Sequence, residues 1–167
     1  MVEITHATHR VSSAPAVTRS LAGFLAGFAS VLMFHQGMLT LLHAVGLTST
    51  MPFALDPAPP FGVPQIWSLA FWGGVWGIIF AWIIRTLPSG RMYWLDSIIF
   101  GAVLPSLAAW LIVLPLKGLP VGGGWQPAGI ATALLVNGAW GFGTALLLWF
   151  GAERVDYFGA PLPQRRT

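Results

Sequence analysis

Residues 65–87 read QIWSLAFWGGVWGIIFAWIIRTL, and Arg85 is the only charged residue among them. A helix that crosses the hydrocarbon core of a bilayer needs about 20 predominantly apolar residues, and this stretch is long enough. Its apolar side chains fall on nearly all faces of a helix, which is typical of a helix surrounded by lipid and by other helices. The stretch therefore predicts a transmembrane helix.

Three further apolar blocks of similar length are residues 20–46, 95–116 and 127–150. Over the whole chain 56% of the residues are apolar and 8% are charged, whereas a soluble domain has roughly a quarter charged residues. Little is left outside the four blocks from which a soluble domain could form. The sequence predicts an all-α integral membrane protein, a bundle of four transmembrane helices over residues 20–150.

The Lys and Arg residues between the blocks predict the orientation, because cytoplasmic connections carry an excess of positive charge. The first and third connections contain only Lys117. We therefore expect the N-terminal segment, 1–19, and the C-terminal tail, 151–167, on the cytoplasmic side. The other seven basic residues all lie on that side: Arg10, Arg19, Arg85, Arg91, Arg154, Arg165 and Arg166.

The charge count also argues against binding to nucleic acid. The chain has eight Lys and Arg residues and a formal net charge of +3, but these side chains are scattered between apolar blocks, where they are expected to orient the helices. The sequence contains no cysteine, so a disulfide framework and a thiolate metal site are excluded. The partners that the composition predicts are the lipid bilayer and other membrane protein subunits, or further copies of the chain itself.

Two of the predicted helices share a short motif. Residues 73–77 read GGVWG and residues 137–141 read NGAWG, so three of five positions match at an offset of 64 residues. One interpretation is a tandem repeat of two helical hairpins, related by an axis along the membrane normal. The other is a chance resemblance, because small and aromatic residues are common in transmembrane helices.

Glycine spacing predicts how the helices pack. Lipid tails are as apolar as leucine, so transmembrane helices associate through close backbone contact, which small residues four positions apart permit. These glycines serve either the packing within one chain or self-association. The residues expected at helix contacts are Gly23, Gly27, Gly73, Gly74, Gly77, Gly138, Gly141 and Gly143.

The connection at residues 47–64 contains five prolines and one acid, Asp56. Proline removes a backbone donor and fixes one backbone angle, so this loop is expected to be extended and stiff. It is either a docking surface for a partner or a connector between two helix ends. The other external loop contains Gly122, Gly123 and Gly124 and is expected to be more mobile.

Polar residues inside the blocks are the candidates for function, because polar groups in lipid are costly and often functional. His35, Gln36 and Asn137 are expected to form a polar layer near the midplane, and His43 lies at the outer end of the first helix as a possible ligand. His35 and Asn137 lie at similar distances from the external ends of their helices. A hydrogen bond between them would satisfy both side chains.

The alternative role for His35 is cofactor binding, to a haem or chlorin metal or to a quinone carbonyl. His35 and His43 are eight positions apart, about 12 Å along a helix, so they cannot ligate one metal together. The other predicted helices contain no histidine. A haem would therefore need Met33 or Met38 together with a histidine from a partner chain. No cofactor is the favoured expectation, and whether the chain holds a metal stays open.

The placement of the acids argues against an enzyme. Hydrolysis or proton transfer within a membrane needs a carboxylate, or a serine and a histidine, converging in one cavity. The same placement of the acids also argues against a proton-coupled transporter, although a passive pore needs no buried acid. The five acids all lie outside the helices or at their edges: Glu3, Asp56, Asp96, Glu153 and Asp156.

Five stretches resemble a family of small four-helix bacterial inner-membrane proteins of unassigned function. The resemblance covers residues 20–150 and implies location in a bacterial plasma membrane, but it provides no catalytic residue. The stretches are FHQG at 34–37, PFGVP at 60–64, LAFWGGVWG at 69–77, PLKG at 115–118 and VNGAWG at 136–141.

These observations favour a non-catalytic accessory or interaction subunit of a membrane complex, or a protein that associates with itself. The glycine-lined helix faces and the stiff external loop support this hypothesis. A small transport or permeation protein built around the polar layer is the second hypothesis. A redox subunit that binds a haem, a chlorin or a quinone through His35 is the third.

Overall fold

A computed structural model describes residues 16–59, 61–86 and 90–154, and within these ranges the chain is built from four long helices. All four are long and apolar enough to cross a membrane, so the predicted four-helix membrane bundle is confirmed. Much of the predicted N-terminal segment and C-terminal tail lies outside the described residues. The helices are α1 (Ala16–Ala44), α2 (Gln65–Ile83), α3 (Arg91–Leu116) and α4 (Pro127–Arg154).

The boundaries differ from the predicted blocks at helix ends where polar or charged residues extend the helix. Helix α1 begins at Ala16, before the predicted start at 20, and α3 begins at Arg91, before 95. Helix α2 ends at Ile83 and continues as one 3₁₀ turn, Ile84–Thr86. Apolar composition alone gave no signal for the turns that contain Arg19 and Arg91, because a helix can continue past the hydrocarbon core.

Helices α1 and α2 form the first hairpin, and their backbones touch at four glycines. A Cβ atom added to Gly23 would lie 2.5 Å from the carbonyl oxygen of Gly77. Gly27 meets the backbone of Gly73 and of Gly77 in the same way. Gly23 and Gly27 are four positions apart on α1, and Gly73 and Gly77 are four positions apart on α2. A methyl group at any of the four positions would push the helices apart.

Helices α3 and α4 form the second hairpin with the same kind of contact. A Cβ atom on Gly101 would lie 2.5 Å from the carbonyl oxygen of Asn137 and 2.6 Å from the Cα of Gly141. Gly141 in turn packs on the backbone of Ser97. Asn137 and Gly141 are the residues that align with Gly73 and Gly77 in the repeated motif. Both hairpins therefore place the same motif positions at the helix crossing, which supports the tandem-repeat interpretation.

The two hairpins meet along α1 and α4, which pack closely, and again between α2 and α3. At the second contact the rings of Phe80 and Phe100 lie 5.0 Å apart, and Trp76 meets Phe100 edge-on at 6.3 Å. Phe80 is fully buried. The main apolar cluster lies between these contacts and includes Val31, Ala70 and Ala145. The order of helices around the bundle is thus α2, α1, α4 and α3.

Two of the helices contain a π-turn: Val31–His35 in α1 and Ala109–Val113 in α3. Such turns insert one extra residue into a helix and are frequent at functional sites. In α3 the turn follows Pro105, which has no backbone N–H to donate. In α1 the turn ends at His35, one of the candidate polar residues.

Both connections at one end of the bundle, hereafter the loop end, contain short backbone elements. The first loop, residues 45–64, contains a two-stranded antiparallel ribbon, β1 (Pro57–Ala58) and β2 (Val63–Pro64). The second loop contains a tight turn of non-helical backbone, Val121–Trp125. Its three successive glycines have positive φ angles, which glycine adopts without strain. The opposite end of the bundle, where α1 begins and α4 ends, is called the terminal end.

Candidate functional site

The depth of His35 follows from the glycine contact between α1 and α2. Gly27 packs on Gly73, and the two helices run in opposite directions. Eight residues beyond Gly27 is His35, and eight residues before Gly73 is Gln65, the first residue of α2. His35 is therefore level with the beginning of α2. With 19 residues, α2 is about 28 Å long, close to the roughly 30 Å of a hydrocarbon core.

His35 and Gln36 accordingly lie level with the beginning of α2, and their predicted place in a midplane layer stays a prediction. Helix α1 has 29 residues, about 43 Å, and extends past the beginning of α2 by residues 36–44. The first loop fills the space beside this extension.

Gln36 joins α1 to the first loop. Its side-chain Oε1 accepts a hydrogen bond from the backbone N–H of Phe53 at 2.7 Å, and its Nε2 lies 3.4 Å from Nδ1 of His35. The Gln36 side chain is buried, and His35 is almost equally so. Phe53 has a φ of 53°, which is unusual for a residue with a side chain. Gln36 therefore holds a strained turn of the loop against the helix.

Asn137 has a different partner from the one expected. Its Nδ2 donates to Oγ of Ser106 at 2.9 Å, which joins α4 to α3. Among the described residues it makes no hydrogen bond with His35, whose hydrogen-bonding contact is with Gln36. The expected pair was matched by depth alone. Depth does not fix the direction of a side chain around a helix, and Asn137 points towards α3 while α1 packs on a different side of α4.

His43 is the last residue but one of α1 and is half-buried. Its Nδ1 is buried and has no hydrogen-bond partner among residues 16–59, 61–86 and 90–154. The nearby contact between α1 and α4 is apolar, a small cluster of Leu39, Leu42 and Val136. Within the same ranges no three His, Asp or Glu side chains come together in a way that could hold a metal ion.

The polar contacts deepest in the bundle are ones that the sequence reading missed. Oγ of Ser30 donates to the carbonyl oxygen of Trp140 at 2.7 Å, and Oγ1 of Thr144 donates to the same oxygen at 2.8 Å. The indole N–H of Trp140 donates to the carbonyl oxygen of Gly27 at 2.9 Å. The sequence signal for these contacts is the tryptophan shared by GGVWG and NGAWG.

The remaining glycines of the predicted set pack on side chains. Gly74 lies against the ring of Phe24, and Gly143 lies against the ring of Phe34 and the hydroxyl of Ser30. Gly138 is different, because a Cβ atom there would meet Ile98 at 3.5 Å, an ordinary van der Waals distance. Gly101 makes one of the closest backbone contacts. The prediction omitted it because the residue four positions before it is Ser97 and not a glycine.

A lateral groove of about 560 Å³ runs between α1 and α4 and opens towards the membrane. Its α1 wall contains Met33, Gly37 and Met38, and its α4 wall contains Gly138 and Ala139. Gly37 is exposed, and a Cβ atom there would meet nothing within 4 Å. A second groove of about 400 Å³ lies between the same helices nearer the terminal end, lined by residues such as Ala22, Leu25 and Leu147.

Neither groove suits a cofactor held by His35. His35 lines neither of them, and the groove beside it is walled by apolar side chains and glycines. The second histidine of the described helices, His43, is on the same helix. Among residues 16–59, 61–86 and 90–154, no second histidine is placed to share a haem iron with His35.

Arg19 provides a further polar anchor, at the terminal end. Its guanidinium lies over the ring of Trp82, 4.5 Å from the ring centroid, and the indole N–H of Trp82 donates to Oγ of Ser20 at 3.2 Å. Arg19 is buried although it is charged. A cation over an aromatic face is attracted by the ring, and the attraction is stronger where water is partly excluded.

No family model, curated protein or solved structure matches this chain. Its function is therefore inferred from the geometry of its own helices and loops.

Proposed function

We propose that this protein is a non-catalytic interaction subunit of a bacterial inner membrane, which receives a transmembrane helix of a partner in the groove between α1 and α4. Its N- and C-terminal segments lie in the cytoplasm, as the distribution of Lys and Arg indicates. The five stretches that resemble small four-helix inner-membrane proteins agree with this location.

Gly37 carries the proposal. A glycine in the interior of a helix costs about 1 kcal/mol relative to alanine, and in this chain nothing lies within 4 Å of the position where its Cβ would be. The other glycines of α1, Gly23 and Gly27, have backbone neighbours that explain them. A glycine that the packing of its own chain does not require fits a contact with another helix, which small residues allow to approach closely.

The rest of the groove has the composition of such a contact. Gly138 and Ala139 continue the small-residue surface on α4, and Met33 and Met38 border it on α1. Methionine side chains adapt to irregular partners, because they are unbranched and polarizable. A permeation path has less support, since the buried hydroxyl groups of Ser30 and Thr144 and the amide of Asn137 donate to groups of the bundle itself.

The test is a photo-crosslinker at Leu41, an exposed residue that lines the groove. In native membranes it should yield one protein adduct of defined mass. Gly37→Leu should abolish that adduct by filling the groove. The matched control is Gly129→Leu, at an exposed glycine of α4 outside the groove whose nearest contact would be Gln126 Cβ at 4.0 Å.

Two copies of the chain carrying different tags distinguish self-association from a foreign partner, since only the former gives adducts containing both tags. If Leu41 crosslinks only to lipid, or if Gly37→Leu leaves the protein adduct unchanged, the proposed function is wrong.

A further inference from the structure

We propose that residues 51–64 of the first loop form a membrane-inserted segment, whose apolar side chains enter the lipid leaflet at the loop end of the bundle. A connection between two transmembrane helices is usually assigned to water. Three observations place this one against lipid: its depth beside α1, the pairing of its backbone groups, and the side chains that it exposes.

The depth follows from the bond between Phe53 and Gln36. Gln36 lies eight residues before Ala44, the last residue of α1, which is about 12 Å along the helix axis. The loop leaves α1 at that end and returns by this distance to bring the Phe53 N–H to within 2.7 Å of Gln36 Oε1. It then enters α2 at the same level. Residues near Phe53 are thus as deep as the beginning of a helix that just fills the hydrocarbon core.

Two backbone carbonyls of the loop pair with the first turn of α2. Polar backbone groups that meet lipid must find partners within the protein, because no water is present to replace them. The N–H of Gln65 donates to the carbonyl of Asp56 at 3.0 Å, and that of Ile66 donates to the carbonyl of Ala54 at 3.1 Å. These bonds pair two N–H groups in the first turn of α2, which the helix itself leaves without acceptors.

The exposed side chains of the loop are mostly large and apolar. Phe61 at the tip of the ribbon is 87% exposed and Leu55 is 68% exposed. Met51, Phe53 and Val63 are exposed as well, and the only charged residue is Asp56. This apolar surface continues into the exposed Trp67 and Phe71 of α2, which face lipid.

An aromatic and aliphatic surface at the edge of a membrane inserts into the boundary between head groups and acyl chains. The leaflet at the loop end is the occupant to which the proposal commits. Insertion of the loop does not depend on the groove or on the partner helix proposed above.

The chain has no native cysteine, so single cysteines can be spin-labelled in an unaltered background. We would label Leu55→Cys and Phe61→Cys in protein reconstituted into phosphatidylcholine vesicles, with a nickel chelate on both sides of the membrane. Ser49→Cys, an isosteric change at an exposed polar position of the same loop, is the aqueous control. Leu25→Cys, at an exposed apolar position of α1, is the lipid control.

Labels at positions 55 and 61 should be accessible to oxygen, as at position 25. They should be roughly tenfold less accessible to the nickel chelate than the label at position 49, because polar reagents are excluded from hydrocarbon. Nickel accessibility equal to that at position 49 would overturn the proposal. Protection from both reagents would also overturn it, since it would mean that protein, such as a second copy, covers the loop.

A second pair of variants tests the attachment to α1. Gln36→Leu removes the acceptor of the Phe53 N–H and should raise the nickel accessibility of the label at position 55. Thr40→Val removes a neighbouring hydroxyl, which donates to the backbone of Gln36 at 2.8 Å, and should leave the label unchanged. Equal accessibility of the label in both variants would contradict an attachment through Gln36.

Discussion

The indole N–H of Trp140 lies 2.9 Å from the carbonyl oxygen of Gly27, at the residue where α1 also packs on Gly73 of α2. One tryptophan of α4 therefore reaches the crossing point of the first hairpin. Trp140 is almost fully buried, and its own carbonyl accepts two hydroxyl groups. The indole thus links α4 to the backbone of α1 at its contact with α2.

Replacing Trp140 by phenylalanine keeps most of the ring volume and removes the donor to Gly27. We expect the free energy of unfolding in detergent to fall by about 0.5–1.5 kcal/mol for the hydrogen bond, with a further loss where the smaller ring leaves space. The control is Trp72→Phe, at an exposed tryptophan of α2. Equal losses in the two variants, measured by denaturant titration, would mean that the bond to Gly27 contributes nothing.

Gly77 and Gly138 are both buried glycines, but they differ in the space around them. A Cβ atom at Gly77 would collide with the backbone of Gly23, whereas one at Gly138 would lie 3.5 Å from Ile98 and 3.6 Å from Ala102. Gly77→Ala should therefore lower the free energy of unfolding by about 1–3 kcal/mol.

Gly138→Ala should leave the stability unchanged or raise it by up to about 1 kcal/mol, since alanine favours the helix. Thermal unfolding in mild detergent compares the two variants directly. A large loss for Gly138→Ala together with none for Gly77→Ala would contradict the helix contacts described here.

The proposed orientation can be tested with reporter fusions. An enzyme that is active only outside the cytoplasm should be active when inserted at Asp56 or Gly123 and inactive when fused after Thr167, because Lys and Arg are concentrated in the terminal segments and in the connection between α2 and α3. Insertion at Asp56 disturbs the first loop, so Gly123 is the more decisive site. The reverse pattern of activity would invert the orientation and place both loops in the cytoplasm.

The four helices and their glycine contacts were predictable from the sequence for a physical reason. A membrane-spanning helix has to be apolar over about 20 residues, and close packing in lipid depends on small residues. The small residues lie at a regular spacing of four within apolar stretches, at Gly23, Gly27, Gly73 and Gly77. Gly101 was missed because its partner position is Ser97, and a search for paired glycines does not detect a glycine that packs on a backbone next to serine.

The polar contacts were less predictable because they depend on direction around a helix and on loop geometry. The similar depth of His35 and Asn137 predicted that they form a pair. In the structure the His35 side chain contacts Gln36, and the Asn137 side chain donates to Ser106. The proline-rich sequence of the loop does not predict the hydrogen bond from the Phe53 N–H to Gln36, seventeen residues earlier. The π-turn that ends at His35 changes the direction in which every later side chain of α1 points. Hydrophobic composition does not reveal such a turn.

The hydrogen bond between Asn137 and Ser106 can be measured by a double-mutant cycle. Asn137→Leu leaves the Ser106 hydroxyl without its partner, and Ser106→Ala leaves the Asn137 amide unpaired. Each single change should lower the free energy of unfolding, and the double change should cost less than their sum, because two apolar replacements leave no unpaired polar group. Interhelical bonds in membranes contribute on average about 0.6 kcal/mol, so a coupling energy of about 0.5–1.5 kcal/mol is expected.

The matched comparison is the cycle of Asn137→Leu with His35→Leu. These side chains have different partners and make no hydrogen bond with each other, so their effects on stability should be additive within about 0.5 kcal/mol. Denaturant titration of all variants in one detergent gives both coupling energies. Strong coupling of Asn137 with His35 and none with Ser106 would show that α4 is rotated relative to the arrangement described here, and it would restore the pair that depth alone had suggested.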